Sequence, residues 1–277
     1  MPRRLARAGR IAALPALALT AAIGIGITSG PAAAAKGAHN GPASNGTTQG
    51  TSENWSGYVV QPAGGHVTGV SGTFVVPEAG DFLPGLASTW AGVGGDGTPD
   101  LIQAGVSESS FPSLPILGQQ YYAWYELLPA GPVQLTGCIG DPSCTVNPGD
   151  DVSVKITQVG ATTWSITEVD AGHWSWTDAS ISYASQNASA EWILEAPTLL
   201  VAPLDLAGVA TVHFGPYSSY SVSGGSPRSI ASGNPIAFSM NLLGLGILTE
   251  ATPSALASDG QSFNVCAYAS SCGAPTS

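Results

Sequence analysis

The chain has 277 residues, with 18 acidic against 7 basic side chains and a formal charge of −11 at pH 7. So large an excess of carboxylates argues against nucleic acid or an anionic membrane surface as a partner. The 36 Gly and 21 Pro would fit disorder, but seven Trp and recurrent strand patterning exclude that for most of the chain.

The first segment carries Arg3, Arg4, Arg7 and Arg10, then an apolar run from Ile11 to Ile27, then Pro31-Ala32-Ala33-Ala34-Ala35. Residues 1–35 are expected to be a secretory signal peptide. A membrane anchor is the alternative, weakened because the apolar run is short and ends in small residues. Residues 36–52 are small and polar and read as a flexible leader or short pro-segment. Residues 53–277 are left for one domain, secreted and extracellular, with no membrane contact once the signal is removed. Beyond the signal, only Lys36, Lys155 and Arg228 face eighteen acids, a formal −15. In acid the carboxylates neutralise and little positive charge remains, so self-repulsion stays small.

Short β-branched or aromatic runs then follow, broken by Gly, Pro, Asn and Ser. Val152-Ser153-Val154-Lys155-Ile156-Thr157 alternates as a half-buried strand does, and Thr162–Thr167 is its expected hairpin partner. Residues 217–235 read as a long loop, a lid or rim, and a short helix is expected to start near Pro253. Many short strands with frequent turns predict an all-β sandwich or barrel. The four cysteines form two close pairs, Cys138/Cys144 and Cys266/Cys272. An even count in a secreted chain implies disulfides, of which three connectivities exist and local pairing is the simplest. A zinc site of four cysteines is the rival, and the spacings do not favour it.

Two separated segments stand out, Leu101-Ile102-Gln103-Ala104-Gly105-Val106 and Ser189-Ala190-Glu191-Trp192-Ile193-Leu194-Glu195. Each is a strand-like apolar run around a polar side chain, which costs free energy unless a partner or ligand uses that group. Gln103 and Glu191 supply an amide and a carboxylate, enough to position a water, take its proton and hold an oxyanion.

With Asn54-Trp55-Ser56-Gly57, Val70–Pro77, Trp90–Asp96 and Ala123-Trp124-Tyr125-Glu126, these segments form an ordered series over roughly residues 52–268. The series resembles the glutamic peptidases, or eqolisins, in the manner of a secreted bacterial-type member. The resemblance implies a two-sheet antiparallel β-sandwich of the concanavalin-A/lectin-like jelly-roll kind. It also implies an acid endopeptidase, a hydrolase acting on polypeptides as a monomer without cofactor or metal. By the same resemblance Gln103 and Glu191 are catalytic, and Trp90, Asp96, Trp124 and Glu126 bind substrate. Two positions depart from the family: Gly94 and Ser107 stand where acids are common. A less acidic surrounding should ease the ionisation of Glu191. Glu195, at or beyond the strand end, is expected to be dispensable.

Other chemistries find little support. His39, His66, His173 and His213 are scattered, with no HExxH, and no GxSxG elbow occurs. Asn45, Asn54 and Asn187 fit short glycosylation patterns. A β-sandwich glycoside hydrolase, using Glu126 with Glu191 or Glu191 with Glu195, and a noncatalytic carbohydrate- or peptide-binding module remain alternatives, because fold alone does not separate them.

Overall fold

Alternation sets the architecture. Along the strand Thr163–Asp170 every second side chain, from Trp164 to Asp170, is buried. This is the pattern of a strand with one face on a core. It pairs antiparallel with Asp151–Gly160, Trp164 opposite Gln158, so the expected hairpin forms. The computed structural model describes residues 40–42, 47–63, 66–80, 84–111, 118–199, 202–203, 205–241 and 248–276. The expected signal peptide lies outside them.

The strands pair into two layers. In the first, the order is Val133–Gln134, Gly118–Leu127, Leu101–Phe111, Gly85–Gly94, Ala190–Glu195, Trp55–Val60, Ile236–Asn241. The second runs Trp174–Ser182, Thr163–Asp170, Asp151–Gly160 and Val67–Val75. There Val212–Phe214 and Ser219–Val222 continue the layer beside Val67–Val75, and Phe263–Ala267 follows. Thr249–Pro253 pairs with strands of both layers and joins them at one edge. The result is a β-sandwich.

Its core holds Ile102, Ala104, Val106, Trp192 and Leu194 from the first layer, against Val70, Phe74, Val154, Ile156, Trp164 and Ile166 from the second. Each Val, Leu, Ile or Phe among them, fully buried, contributes about 1.5–3 kcal/mol. Trp192 is therefore core, and its indole N–H crosses the sandwich to donate to the Ser71 carbonyl at 2.7 Å. Glu108 and Glu168 also point inward, sharing strand parity with Val106 and Ile166. Both are fully buried, and burial drives their pKa values well above the ordinary carboxylate value. The disulfides are local, Cys138–Cys144 and Cys266–Cys272.

Three expectations need correction. Thr48–Ser52, assigned to a flexible leader, is a strand parallel to Ile236–Met240, so the ordered sandwich begins before residue 53. Residues 217–235 are not a long loop. They contain Ser219–Val222, paired with Val67–Ser71, then Arg228–Ser229 and a 3-10 turn at Ile230–Gly233. Their Ser and Gly hid a strand anchored by buried Tyr220 and a turn anchored by buried Ile230. No helix starts near Pro253, which ends the strand Thr249–Pro253.

Candidate active site

One row crosses the first sheet. Gln103 pairs with Glu126 on one side and Gly92 on the other, and Gly92 pairs with Glu191, which pairs with Val59. Residues in register on neighbouring strands face the same side. Glu191 has opposite parity to Trp192, so this row lies on the outer face, away from the core. Two strand spacings put the Gln103 and Glu191 backbones about 9–10 Å apart. The position between them, Gly92, carries no side chain. Sequence reasoning named Gln103 and Glu191 from segments 88 residues apart, and the sheet brings them to one row.

A Cβ on Gly92 would meet Trp90 Cζ3 at 3.0 Å and Leu101 Cδ1 at 3.1 Å, so the glycine keeps the two polar side chains and this apolar floor together.

Gln103 and Glu191 are both fully buried. The Gln103 side-chain amide donates from Nε2 to Glu126 Oε2 at 2.7 Å. Neither oxygen of Glu191 makes a well-formed hydrogen bond among the described residues. Burial pushes the Glu191 pKa well above the usual carboxylate value; the nearby Ser189 hydroxyl offsets this in part, and the charges of Asp96 and Asp100 add to it. The expected easing of Glu191 ionisation is thus outweighed by desolvation, which composition does not show.

A second row lies four residues along the same face, beyond the row of Gly105, Trp90 and Ile193. Ser107, Ser88 and Glu195 are in register, with Tyr122 beside Ser107 and Trp55 beside Glu195. The Ser88 and Ser107 hydroxyls lie 3.0 Å apart. Glu195 ends its strand but is 2% exposed. It accepts from Trp90 Nε1 at 2.8 Å and from Asn54 Nδ2 at 3.1 Å. Burial first, then the charge of Glu126, pushes its pKa up to about 8 against these donors. The expectation that Glu195 is peripheral is therefore wrong. The signal was available: residues four apart on a strand share a face. Asn54 was also missed as a polar partner, although its motif was noted.

Trp124, Glu126, Tyr122, Ser88, Ser107 and Glu195 line a small pocket beside the Gln103 row. Trp90 does not line it. Fully buried, it packs edge-on against Trp55 at 5.1 Å. Asp96 lies near the Glu191 end and accepts from Gln61 Nε2 at 2.7 Å. Gly94 has φ +92°, and a Cβ there would come within 2.6 Å of the Asp100 carbonyl oxygen. An acid at this position would need a different turn.

Residues 53–255 match the family model of the Peptidase A4 family. The chain belongs to this family. A Peptidase A4 protein is a hydrolase of the glutamic endopeptidase class, the eqolisins. Among solved structures, scytalido-glutamic peptidase bound to a peptide-based transition-state analogue is similar at 18% identity and a TM-score of 0.59. A second structure of that enzyme with a transition-state analogue inhibitor gives 19% and 0.61. SCP-B, an eqolisin in complex with the tripeptide Ala-Ile-His, gives 18% and 0.55. Each alignment covers 78% of this chain and 98% of the other, and at these identities the likeness shows the sandwich fold. No curated protein sequence matches the chain.

Proposed function

We propose that this Peptidase A4 protein is a secreted acid endopeptidase in which Glu191 is the general base and Gln103 holds the water and the oxyanion. The observation that carries the reading is the shared register of Gln103 and Glu191 on Gly92. A water between the two side chains can give its proton to Glu191 while it attacks the scissile carbonyl, and Glu191 then returns that proton to the leaving nitrogen. The Gln103 carbonyl oxygen orients the water. Its amide has two N–H groups, one directed at Glu126, and donates to the developing oxyanion. A neutral amide suits this place, because a second carboxylate would raise the Glu191 pKa further. Trp124 and Glu126 line the adjoining small pocket, which would have to widen to take a substrate side chain.

The base acts as an anion, and burial opposes that anion. Peptide and water must therefore open the face and solvate Glu191 before chemistry. The ascending limb of activity with pH follows Glu191 ionisation. The signal-like residues 1–35, the two disulfides and the scarcity of Lys and Arg support an acidic extracellular setting.

The glycosidase alternative is less well supported. Glu191 and Glu195 are four strand residues apart, about 13 Å between backbones, whereas retaining enzymes place their carboxyls about 5–5.5 Å apart. The test is hydrolysis of denatured casein by wild type from strongly acidic to mildly alkaline pH, with the products sequenced. Internal cleavage with an acidic optimum is expected. A neutral optimum, or release of terminal residues alone, would contradict the reading.

A further inference from the structure

On the second layer, a hairpin turn and the loop before the neighbouring strand bring together three ligand-type side chains. Asp170 ends the strand Thr163–Asp170, and Val152, opposite it, lies two residues after Asp150. His173 follows in the turn. One side-chain atom from each of Asp150, Asp170 and His173 lies within 4.8 Å of the others. His173 Nδ1 stands 3.0 Å from Asp170 Oδ2 and 3.8 Å from Asp150 Oδ1.

Asp170 is 1% exposed, and its Oδ1 has no hydrogen-bond partner among the described residues. A carboxylate oxygen buried in that way is costly unless a proton or cation uses it. Asp150 is held in place: its Oδ2 accepts the Asn147 backbone N–H at 2.7 Å, while Oδ1 is the oxygen nearer His173. The carbonyls of Asn147, Asp151 and Asp170 already accept N–H groups from Asp150, Ala171 and His173. The donor set is thus two carboxylates and one imidazole. The His173 side chain is 56% exposed, which leaves room for water.

Calcium and magnesium take oxygen ligands, so an imidazole argues against them. Zinc takes carboxylate oxygen and imidazole nitrogen at about 2.0–2.2 Å, and tetrahedral ligand atoms then lie about 3.4 Å apart. The 3.8 Å separation is near that value, and the 3.0 Å contact is a His173–Asp170 hydrogen bond that a metal would replace. We propose that Asp150, Asp170 and His173 form a binding site for a divalent transition metal such as zinc, which ties the hairpin turn to the loop before Asp151. The site lies on the layer opposite the Gln103 row and is independent of the peptidase reading.

The test is titration of the EDTA-stripped full protein with zinc chloride at mildly alkaline pH, by calorimetry and thermal melting. Wild type should bind zinc saturably and melt at higher temperature. His173→Ala removes an exposed side chain and should keep the fold, yet bind zinc at least about tenfold more weakly. Asp170→Asn should do likewise. Calcium chloride should give no shift. Absence of saturable zinc binding, equal binding by His173→Ala, or stabilisation by calcium but not zinc would overturn the proposal.

Discussion

The indole N–H of Trp90 donates to Glu195 Oε2 at 2.8 Å, and Asn54 Nδ2 donates to Glu195 Oε1 at 3.1 Å. One carboxyl thus fixes the Trp ring that floors the Gln103–Glu191 row and ties it to the strand Trp55–Val60. In Glu195→Gln, one of the two donors faces an NH2 group instead of an acceptor. The buried mismatch should cost about 1–3 kcal/mol, visible as a lower melting temperature. Peptidase activity should fall with it as Trp90 shifts. A variant as stable and active as wild type would contradict this role.

Buried carboxyls also set the sign of the pH dependence of stability. Burial raises the pKa of Glu108, Glu168 and Glu191 well above 4.5, and that of Glu195 to about 8. Above the unfolded value, the folded state therefore binds more protons than the unfolded chain, and stability declines as pH rises. Their contribution is complete below the unfolded pKa and is lost as pH climbs through the folded values, for Glu195 towards pH 8. Melting temperature should drop by several degrees from pH 4 to pH 8. Glu108→Gln should flatten that slope. A fold more stable at pH 8 would be incompatible with this assignment.

Gly92→Ala probes the space between the two polar side chains. The new methyl would lie 3.0 Å from Trp90 Cζ3, 3.1 Å from Leu101 Cδ1 and 3.1 Å from the Ile102 carbonyl oxygen. Overpacking of this kind costs about 1–3 kcal/mol. The shift of Trp90 should lower kcat more than it raises KM. Wild-type kinetics would show that the row tolerates a side chain here.

Gln103→Ala removes the proposed oxyanion donor and the Nε2–H that Glu126 accepts. Loss of an oxyanion donor lowers kcat by about 10²–10³-fold, and a fall of at least that size is expected. Circular dichroism should stay unchanged, because the strand is held on both sides by in-register pairing. Turnover near wild type would remove Gln103 from the mechanism.

The sandwich was readable because strand periodicity is local: Val152–Thr157 alternates in sequence as it does in burial. The Gln103 and Glu191 strands were readable because each places a polar group in an apolar run. What escaped depends on long-range contact. Asn54 meets Glu195 across 141 positions, and only the folded sheet makes them partners. Ser219–Val222 was hidden by its small polar residues, since its partner strand, not its composition, makes it a strand. By resemblance Trp90 reads as a substrate-binding residue, and only the folded sheet places it against Trp55. Gly94 reads as a lost acid, but its backbone angle shows a turn built for glycine.

If Glu191 is the general base, Glu191→Gln removes the proton acceptor. The amide keeps the shape of the buried side chain but cannot take a proton from water. Hydrolysis of a casein-derived peptide at acidic pH should be abolished in the purified variant, with its circular dichroism and melting curve intact. Turnover retained by a folded Glu191→Gln protein would contradict the account.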